Sequence, residues 1–115
     1  MAYLALIVED VVIKKWELTE EVIIIGRAND CDIQIDDQSV SSKHARLVVE
    51  ADPYFDGASS IFVEDLRSTN GTELNGKKVA RERLSDQDMI KIGFNEFRFV
   101  GNDKKSLEDT AVIVS

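Results

Sequence analysis

The chain has little of the residues that build cross-links and metal sites. It contains one cysteine, Cys31, and one histidine, His44, among 115 residues. A single cysteine excludes a disulfide within the chain, and a zinc site would have to take most of its ligands from carboxylates. We therefore expect no metal and no cofactor, and we interpret Cys31 as a small apolar or loop residue.

Long apolar segments are also missing. No apolar run approaches the roughly 18 residues that a membrane-spanning helix needs. The apolar start at residues 1–8 lacks a basic leader and continues directly into Glu9 and Asp10, which argues against a secretory signal. These features predict a cytoplasmic protein with no membrane partner.

Basic residues are the minority among the charged ones. Fourteen Lys and Arg stand against 22 Asp and Glu, which gives a net charge of −8. Such a surface repels nucleic acid and anionic membranes on average, so an anion-binding site has to be local. With 43% hydrophobic and 31% charged residues, the chain has the composition and length of one globular domain.

The sequence does have apolar residues at every second position, which is typical of half-buried strands. Residues 22–25 form instead a continuous β-branched run, which predicts a strand buried on both faces. Asn75-Gly76 predicts a two-residue hairpin turn, because both residue types tolerate positive φ. Other turn signals, including those at residues 52–57 and 85–88, separate the runs, so we predict an all-β sandwich. The alternating positions are Ile33 and Ile35; Ala45, Leu47 and Val49; Ile61 and Val63; Ile90 and Ile92; Phe97 and Phe99.

Three short polar stretches lie between these runs, at residues 26–27, 41–44 and 68–72. Arg27 supplies a planar fork of donors suited to a charged oxyanion, and the Ser, Thr and Asn side chains add neutral donors that orient it. No obvious general base accompanies them. The residue types therefore indicate a receptor for a phosphorylated partner rather than an enzyme.

In their order and spacing these motifs resemble those of the forkhead-associated domain. The resemblance covers residues 3–100 and implies an eleven-stranded β-sandwich of two twisted sheets, whose loops at one end bind phosphothreonine peptides in signalling. We accordingly predict a phosphopeptide-binding domain at residues 1–100 and a polar linker and C-terminal tail at residues 101–115. The partner would be a phosphothreonine protein modified by an upstream Ser/Thr kinase. The motifs that carry the resemblance are Gly26-Arg27, Ser41 with His44, Ser68-Thr69-Asn70-Gly71-Thr72, and Asn75-Gly76.

The resemblance also implies roles for individual side chains. Arg27 would contact the phosphate with charge-assisted hydrogen bonds, and Ser41 and Thr69 would donate their hydroxyls to further phosphate oxygens. Asn70 would clamp the peptide main chain beside the phosphothreonine. Ser42 belongs to the same binding set, although many family members have Arg at this position, so the pocket rim has one charge fewer.

Other motif residues are expected to support the site without touching phosphate. The resemblance implies that His44 ties the recognition loops together, while Gly26 and Gly71 allow close backbone approach or positive φ. Gln87 stands where the family often has Gly, and this change is expected to affect local geometry. For Ser68, Thr72 and Trp16 we favour structural roles, in turns and in packing, over ligand contact. Lys43 and Arg67 could either add positive field to the site or be solvated surface residues.

Three alternatives stay open at this point. The same sandwich could act as a phosphate-independent interaction scaffold. A hydrolase could use Ser41 and His44 with an aspartate, although no strand-turn-helix nucleophile elbow surrounds the serine. Finally, Thr110 lies in an acidic tail, and its phosphorylation could let the tail occupy the pocket of its own or a neighbouring copy, giving self-association. An ordinary linker threonine is the simpler interpretation of Thr110.

Overall fold

The computed structural model describes residues 2–51 and 59–101. Within these two ranges the chain forms eleven strands and no helix, so no helix there is long and apolar enough to cross a membrane. The predicted turn at residues 52–57 and the tail from residue 102, with Thr110, lie outside the described residues. The strands are β1 (Tyr3–Val8), β2 (Val11–Glu17), β3 (Val22–Gly26), β4 (Ile33–Gln34), β5 (Ala45–Ala51), β6 (Ser59–Asp65), β7 (Thr72–Leu74), β8 (Lys77–Lys78), β9 (Arg81–Arg83), β10 (Met89–Ile92) and β11 (Asn95–Val100).

The strands form two sheets, which confirms the predicted eleven-stranded sandwich. One sheet has six strands in the order β2-β1-β11-β10-β7-β8, and the other has five in the order β4-β3-β5-β6-β9. Pairing is antiparallel except between β3 and β4, which run parallel. The parallel pair requires the chain to leave β3, form a loop and return in the same direction. That crossover places residues 27–32 at one end of the sandwich.

The core follows from the period-two pattern. Alternate side chains of a strand point to opposite faces, so apolar residues at every second position share the face that meets the other sheet. The fully buried side chains come from both sheets and pack in one cluster, with the partly buried Trp16 against it. The ring centroid of Trp16 lies 6.0 Å from that of Phe97, which confirms its predicted packing role. The largest fully buried apolar side chains are Leu4, Ile25, Ile33, Val40, Leu47, Val63, Ile90, Ile92 and Phe97.

The prediction for β3 is wrong in one respect. Ile23 and Ile25 are buried, but Val22 is 43% exposed and Ile24 is partly exposed. In a two-sheet sandwich only one face of each sheet contacts the other, so a continuous β-branched run is buried on one face and tolerated on the other. Apolar content alone could not reveal this difference.

The predicted hairpin turn is confirmed. Asn75 and Gly76 have φ angles of 52° and 86°, and they join β7 to β8 with Leu74 opposite Lys77. The family departure at Gln87 also has a local effect, since this residue adopts a φ of 73°. A left-handed conformation is easily adopted by glycine and costs energy for other residues. Gln87 therefore occupies a position suited to glycine.

Candidate functional site

Three loops meet at the end of the sandwich where β3 finishes: the β3–β4 loop (residues 27–32), the β4–β5 loop (residues 35–44) and the β6–β7 loop (residues 66–71). The Arg27 N–H donates to the carbonyl of Ser41 over 2.9 Å. The Thr69 N–H donates to Ser41 Oγ over 3.0 Å. Residues from all three predicted motifs, which are far apart in sequence, therefore lie next to one another around Ser41.

The buried His44 connects two of these loops through its ring. The Ser41 N–H donates to His44 Nδ1 over 3.0 Å, and His44 Nε2 lies 2.8 Å from the Gly71 carbonyl oxygen. Because Nδ1 accepts, the proton is on Nε2, which donates to Gly71. The imidazole is 0% exposed and is engaged at both nitrogens. Both ring nitrogens are engaged by main-chain groups, an arrangement that does not favour a role for His44 as the general base of the hydrolase alternative.

Asp65, at the end of β6, organises the β6–β7 loop, although it belongs to none of the sequence motifs. Its carboxylate accepts hydrogen bonds from the backbone N–H and hydroxyl of Ser68 and from the hydroxyl of Thr72. Burial raises the pKa of Asp65, but these hydrogen bonds outweigh it, and the pKa is lowered overall. Ser68 Oγ in turn accepts from the Gly71 N–H over 2.9 Å. Ser68 and Thr72 therefore hold the turn, as predicted.

Asn70 is oriented by a contact across the loops. Its Nδ2 donates to the carbonyl of Ser39 over 2.8 Å. Ser39 is itself fixed, because its N–H donates to Asp37 Oδ1 and its hydroxyl accepts from the Phe94 N–H. One N–H and the carbonyl oxygen of the Asn70 amide have no partner within residues 2–51 and 59–101. These two groups are available to a ligand at the surface.

The exposed polar groups define the chemistry of the loop end. The Arg27 side chain is exposed and forms no ion pair with any described carboxylate, and the same holds for Arg67. Lys43 differs, because its Nζ pairs with Asp30 and this contact lowers the pKa of the Asp30 carboxyl. Of the two interpretations of Lys43, the ion pair favours a surface role, because the carboxylate offsets its charge.

Two glycines allow the loops to approach one another. A Cβ on Gly26 would lie 2.1 Å from the Ser42 carbonyl oxygen, so no side chain fits there. Gly71 has a φ of 86°, and a Cβ at this position would lie 2.7 Å from Cε of Lys78. A side chain at Gly26 would therefore require the Ser42 main chain to move, and Gly71 adopts a left-handed backbone conformation that favours glycine.

Ser42 contributes its main chain to the loop contacts. Its carbonyl accepts from the Ala28 N–H over 3.2 Å and from the Cys31 thiol over 3.2 Å. Burial raises the pKa of Cys31, so this thiol is protonated at neutral pH and packs as a loop residue. The Ser42 side chain is exposed and has no hydrogen-bond partner in the described part of the chain.

Several known proteins are similar to this chain in sequence or in fold. The sequence profile described as the FHA domain matches residues 23–93. The chain is 34% identical over 83 residues to the FHA domain-containing protein FhaA of Mycobacterium tuberculosis, a match that covers 72% of this chain and 14% of FhaA. The chain thus spans only a small part of that relative.

Two solved structures are similar over nearly the whole chain. One comes from a structural and functional analysis of phosphothreonine-dependent FHA domain interactions and is 30% identical, with a TM-score of 0.74. The alignment covers 90% of this chain and 98% of the solved chain. The other is EmbR of Mycobacterium tuberculosis in complex with a low affinity phosphopeptide, which is 31% identical with a TM-score of 0.72. That alignment covers 90% of this chain and 26% of EmbR.

Proposed function

The chain belongs to the FHA domain family, and from this premise we propose that it is a recognition module for phosphothreonine peptides. Members of this family are interaction modules rather than enzymes. The observation that carries the proposal is the convergence of the three polar motifs at one end of the sandwich, where the N–H groups of Arg27 and Thr69 both donate to Ser41. The exposed Arg27 side chain forms no ion pair with a carboxylate of the described residues. The module would mediate protein–protein interaction that depends on phosphorylation.

The phosphate contacts follow from the hydrogen-bonding capacity left at each side chain. A phosphothreonine carries about −1.5 to −2 charges and three strong acceptor oxygens. Ser41 Oγ already accepts from the Thr69 N–H, so its own O–H is left to donate outward. Arg27 and the Thr69 hydroxyl supply the remaining donors. Together they offer one charged and two neutral donor groups to one phosphate.

Asn70 is proposed to bind the peptide main chain beside the phosphothreonine. Its contact with Ser39 fixes the plane of the amide before a ligand arrives, so little ordering remains to be done on binding. The carbonyl oxygen and the second N–H of the amide, which have no partner among residues 2–51 and 59–101, match the donor and acceptor of one peptide unit. Ser42 lies at the rim, where its exposed hydroxyl can add a neutral contact in place of the more common arginine.

His44, Gly26 and Gly71 are proposed to act as positioning residues. His44 holds the Ser41 N–H on one side and the Gly71 carbonyl on the other, which keeps the β4–β5 and β6–β7 loops in register. Gly26 lets the β3–β4 loop approach the Ser42 carbonyl. Such rigid support places the donors before binding, and this limits the entropy lost on association.

The proposed contacts allow the affinity for a phosphothreonine peptide to be estimated. Three or four hydrogen bonds to a charged group contribute about 1.5–3 kcal/mol each, less the cost of desolvating the phosphate and ordering the peptide. We expect micromolar binding, which corresponds to about −8 kcal/mol. The unphosphorylated peptide lacks all the phosphate contacts and should bind orders of magnitude more weakly.

The partner is proposed to be a cytoplasmic protein phosphorylated on threonine by a Ser/Thr kinase. The resemblance to the family further suggests that threonine is preferred to serine through its methyl group, and that the third residue after it tunes selectivity. The net charge of −8 disfavours nucleic acid and anionic membranes as partners. We place the binding function in residues 1–100.

Isothermal titration calorimetry with matched phosphothreonine and threonine peptides tests the proposal. Arg27→Ala removes a charge-assisted pair of hydrogen bonds worth about 3–6 kcal/mol, so affinity should fall by more than about 100-fold. Arg83→Ala removes the same charge from an exposed position on β9 and should leave affinity unchanged. Undiminished binding by the folded Arg27→Ala variant would remove this residue from the site. Equal binding of both peptides would favour the phosphate-independent scaffold.

A further inference from the structure

Strand β2 forms one edge of the six-stranded sheet, and among the described strands it pairs only with β1. Three consecutive residues near its start are half or more exposed: Val11 at 57%, Val12 at 50% and Ile13 at 59%. An open strand edge that carries β-branched apolar residues is a template for pairing with another chain, and proteins usually protect such edges. The β2 edge therefore has the properties of an interface.

The charges around this apolar triplet are arranged symmetrically. Glu9 and Asp10 precede it, and Lys14 and Lys15 follow it. Residues 9–15 thus comprise, in order, two acidic, three apolar and two basic residues, with Val12 at the centre. A segment of this kind is complementary to a second copy of itself that runs in the opposite direction, because the acidic end of each copy then meets the basic end of the other.

From this symmetry we propose that the β2 edges of two copies of this chain pair in antiparallel orientation, with the twofold axis at Val12. Val12 then faces its own counterpart, and Val11 of one copy lies opposite Ile13 of the other. The acidic turn residues Glu9 and Asp10, at the start of β2, then lie near Lys14 and Lys15 of the other copy. A register centred on Lys14 would instead bring two lysines together. The Val12 register is favoured because the acidic turn of each copy then lies beside the lysines of the other.

The backbone of β2 presents the groups that this pairing requires. Glu9 and Asp10 form the two-residue turn between β1 and β2, with φ angles of 51° and 64°, and Val8 pairs with Val11. In such a hairpin the residues that flank the turn are hydrogen-bonded to each other, so the main-chain groups of the next residue point away from β1. The N–H and C=O of Val12 therefore point to the open edge, where two copies can exchange two hydrogen bonds.

The lysines on β2 do not block the edge. Lys14 Nζ lies 5.2 Å from the ring centroid of Trp16, and Lys15 Nζ lies 5.0 Å from that of Tyr3. Both side chains therefore lie along the faces of their own sheet. Edge lysines can act against pairing when they project into the approaching strand. Here each lysine lies over an aromatic ring of its own chain, and the acidic turn of the other copy lies near it in the dimer.

The dimer is expected to be weak. A register shift in the β1–β2 pairing leaves Ile13 as an extra residue, and such a bulge bends the strand and shortens the regular edge. Interfaces that bury less than about 1,200 Å² are typically weak or transient.

Because the paired strands run in opposite directions, the loop ends of the two copies face opposite ways. If the loops bind phosphopeptides as proposed above, one dimer could bridge two phosphorylated partners, although dimerisation does not depend on that binding.

Sedimentation velocity of the full chain between 10 and 500 µM tests the interface. A concentration-dependent shift from the 12.9 kDa monomer toward twice that mass is expected. Val12→Lys places two lysines across the axis and should keep the chain monomeric, whereas Val22→Lys, at an exposed valine of the other sheet, should not. A monomer at every concentration, or a dimer that survives Val12→Lys, would overturn the proposal.

A complementation experiment tests the register itself. Asp10→Lys and Lys14→Glu each place like charges opposite one another, so each variant alone should dimerise at least tenfold more weakly than the wild type. Mixed together, the two variants restore both opposite-charge pairs and should form a heterodimer. Lys77→Glu, the same change on β8 at the far edge of the sheet, is the control and should dimerise like the wild type. Failure of the mixture to associate, with both variants folded by circular dichroism, would refute the Val12 register.

Discussion

Removal of the Asp65 carboxylate is expected to destabilise the domain and weaken peptide binding together. Asp65→Ala deletes three hydrogen bonds to a charged acceptor, from the N–H and hydroxyl of Ser68 and the hydroxyl of Thr72. Hydrogen bonds to charged groups contribute about 1.5–3 kcal/mol each. Water can replace the bonds of the half-buried Ser68, but Thr72 is 1% exposed and its hydroxyl would lose its acceptor. We therefore expect a loss of about 3 kcal/mol in the free energy of unfolding.

Urea denaturation measures this loss, and calorimetry with a phosphothreonine peptide measures the effect on binding. Asp65→Asn keeps one acceptor oxygen and should lose about half as much stability, about 1–2 kcal/mol. Asp36→Ala is the control, since Asp36 is exposed and accepts no hydrogen bond from the described residues. A loss below about 0.5 kcal/mol for Asp65→Ala, the range of ordinary surface substitutions, would refute the argument that this carboxylate organises the β6–β7 loop.

Three further predictions concern the backbone and the pH dependence. Gly26→Ala forces a Cβ to within 2.1 Å of the Ser42 carbonyl oxygen, so peptide affinity and melting temperature should both fall. Gly76→Ala is the control, because its Cβ would meet no atom within 4 Å; it should affect only stability, through the φ of 86° at this position. Gln87→Gly removes a left-handed glutamine and should raise the free energy of unfolding by up to about 1 kcal/mol in urea titrations. Because the pKa of Asp65 is lowered in the folded chain, Asp65 takes up a proton at higher pH in the unfolded chain than in the folded one. Asp65 therefore contributes its full stability above its unfolded pKa of about 4, and this contribution is lost as the pH falls through the lower folded pKa. The difference in unfolding free energy between the wild type and Asp65→Asn should accordingly shrink below about pH 4.

The site motifs were predictable because they are local in sequence, but the residues that support them were not. Arg27, Ser41, Thr69 and Asn70 stand within short polar stretches that resemble a known family, and the structure brings those stretches together. Asp65 is an unremarkable acidic residue at the end of a strand. Its spacing of three residues before Ser68 fits a side-chain-capped turn, but the contact with Thr72 depends on how the loop folds back.

The fold was predictable from period-two patterning, whereas the exposure of individual faces was not. Residues 22–25 are as apolar as a strand buried on both faces, yet Val22 and Ile24 face outward because β3 has a sheet against only one side. The same limit applies to β2. Its residues Val11–Ile13 are apolar in sequence, and only the strand order shows that they lie at an open edge.

The proposed phosphothreonine site can be mapped by titrating the ¹⁵N-labelled chain with a phosphothreonine peptide and recording the amide NMR shifts. We expect the largest shifts at Arg27, Ser41, Thr69 and Asn70, and none at these residues with the matched threonine peptide at the same concentration. Shifts confined to other surfaces, such as β2 or the outer face of the five-stranded sheet, would contradict it. So would equal shifts from the two peptides.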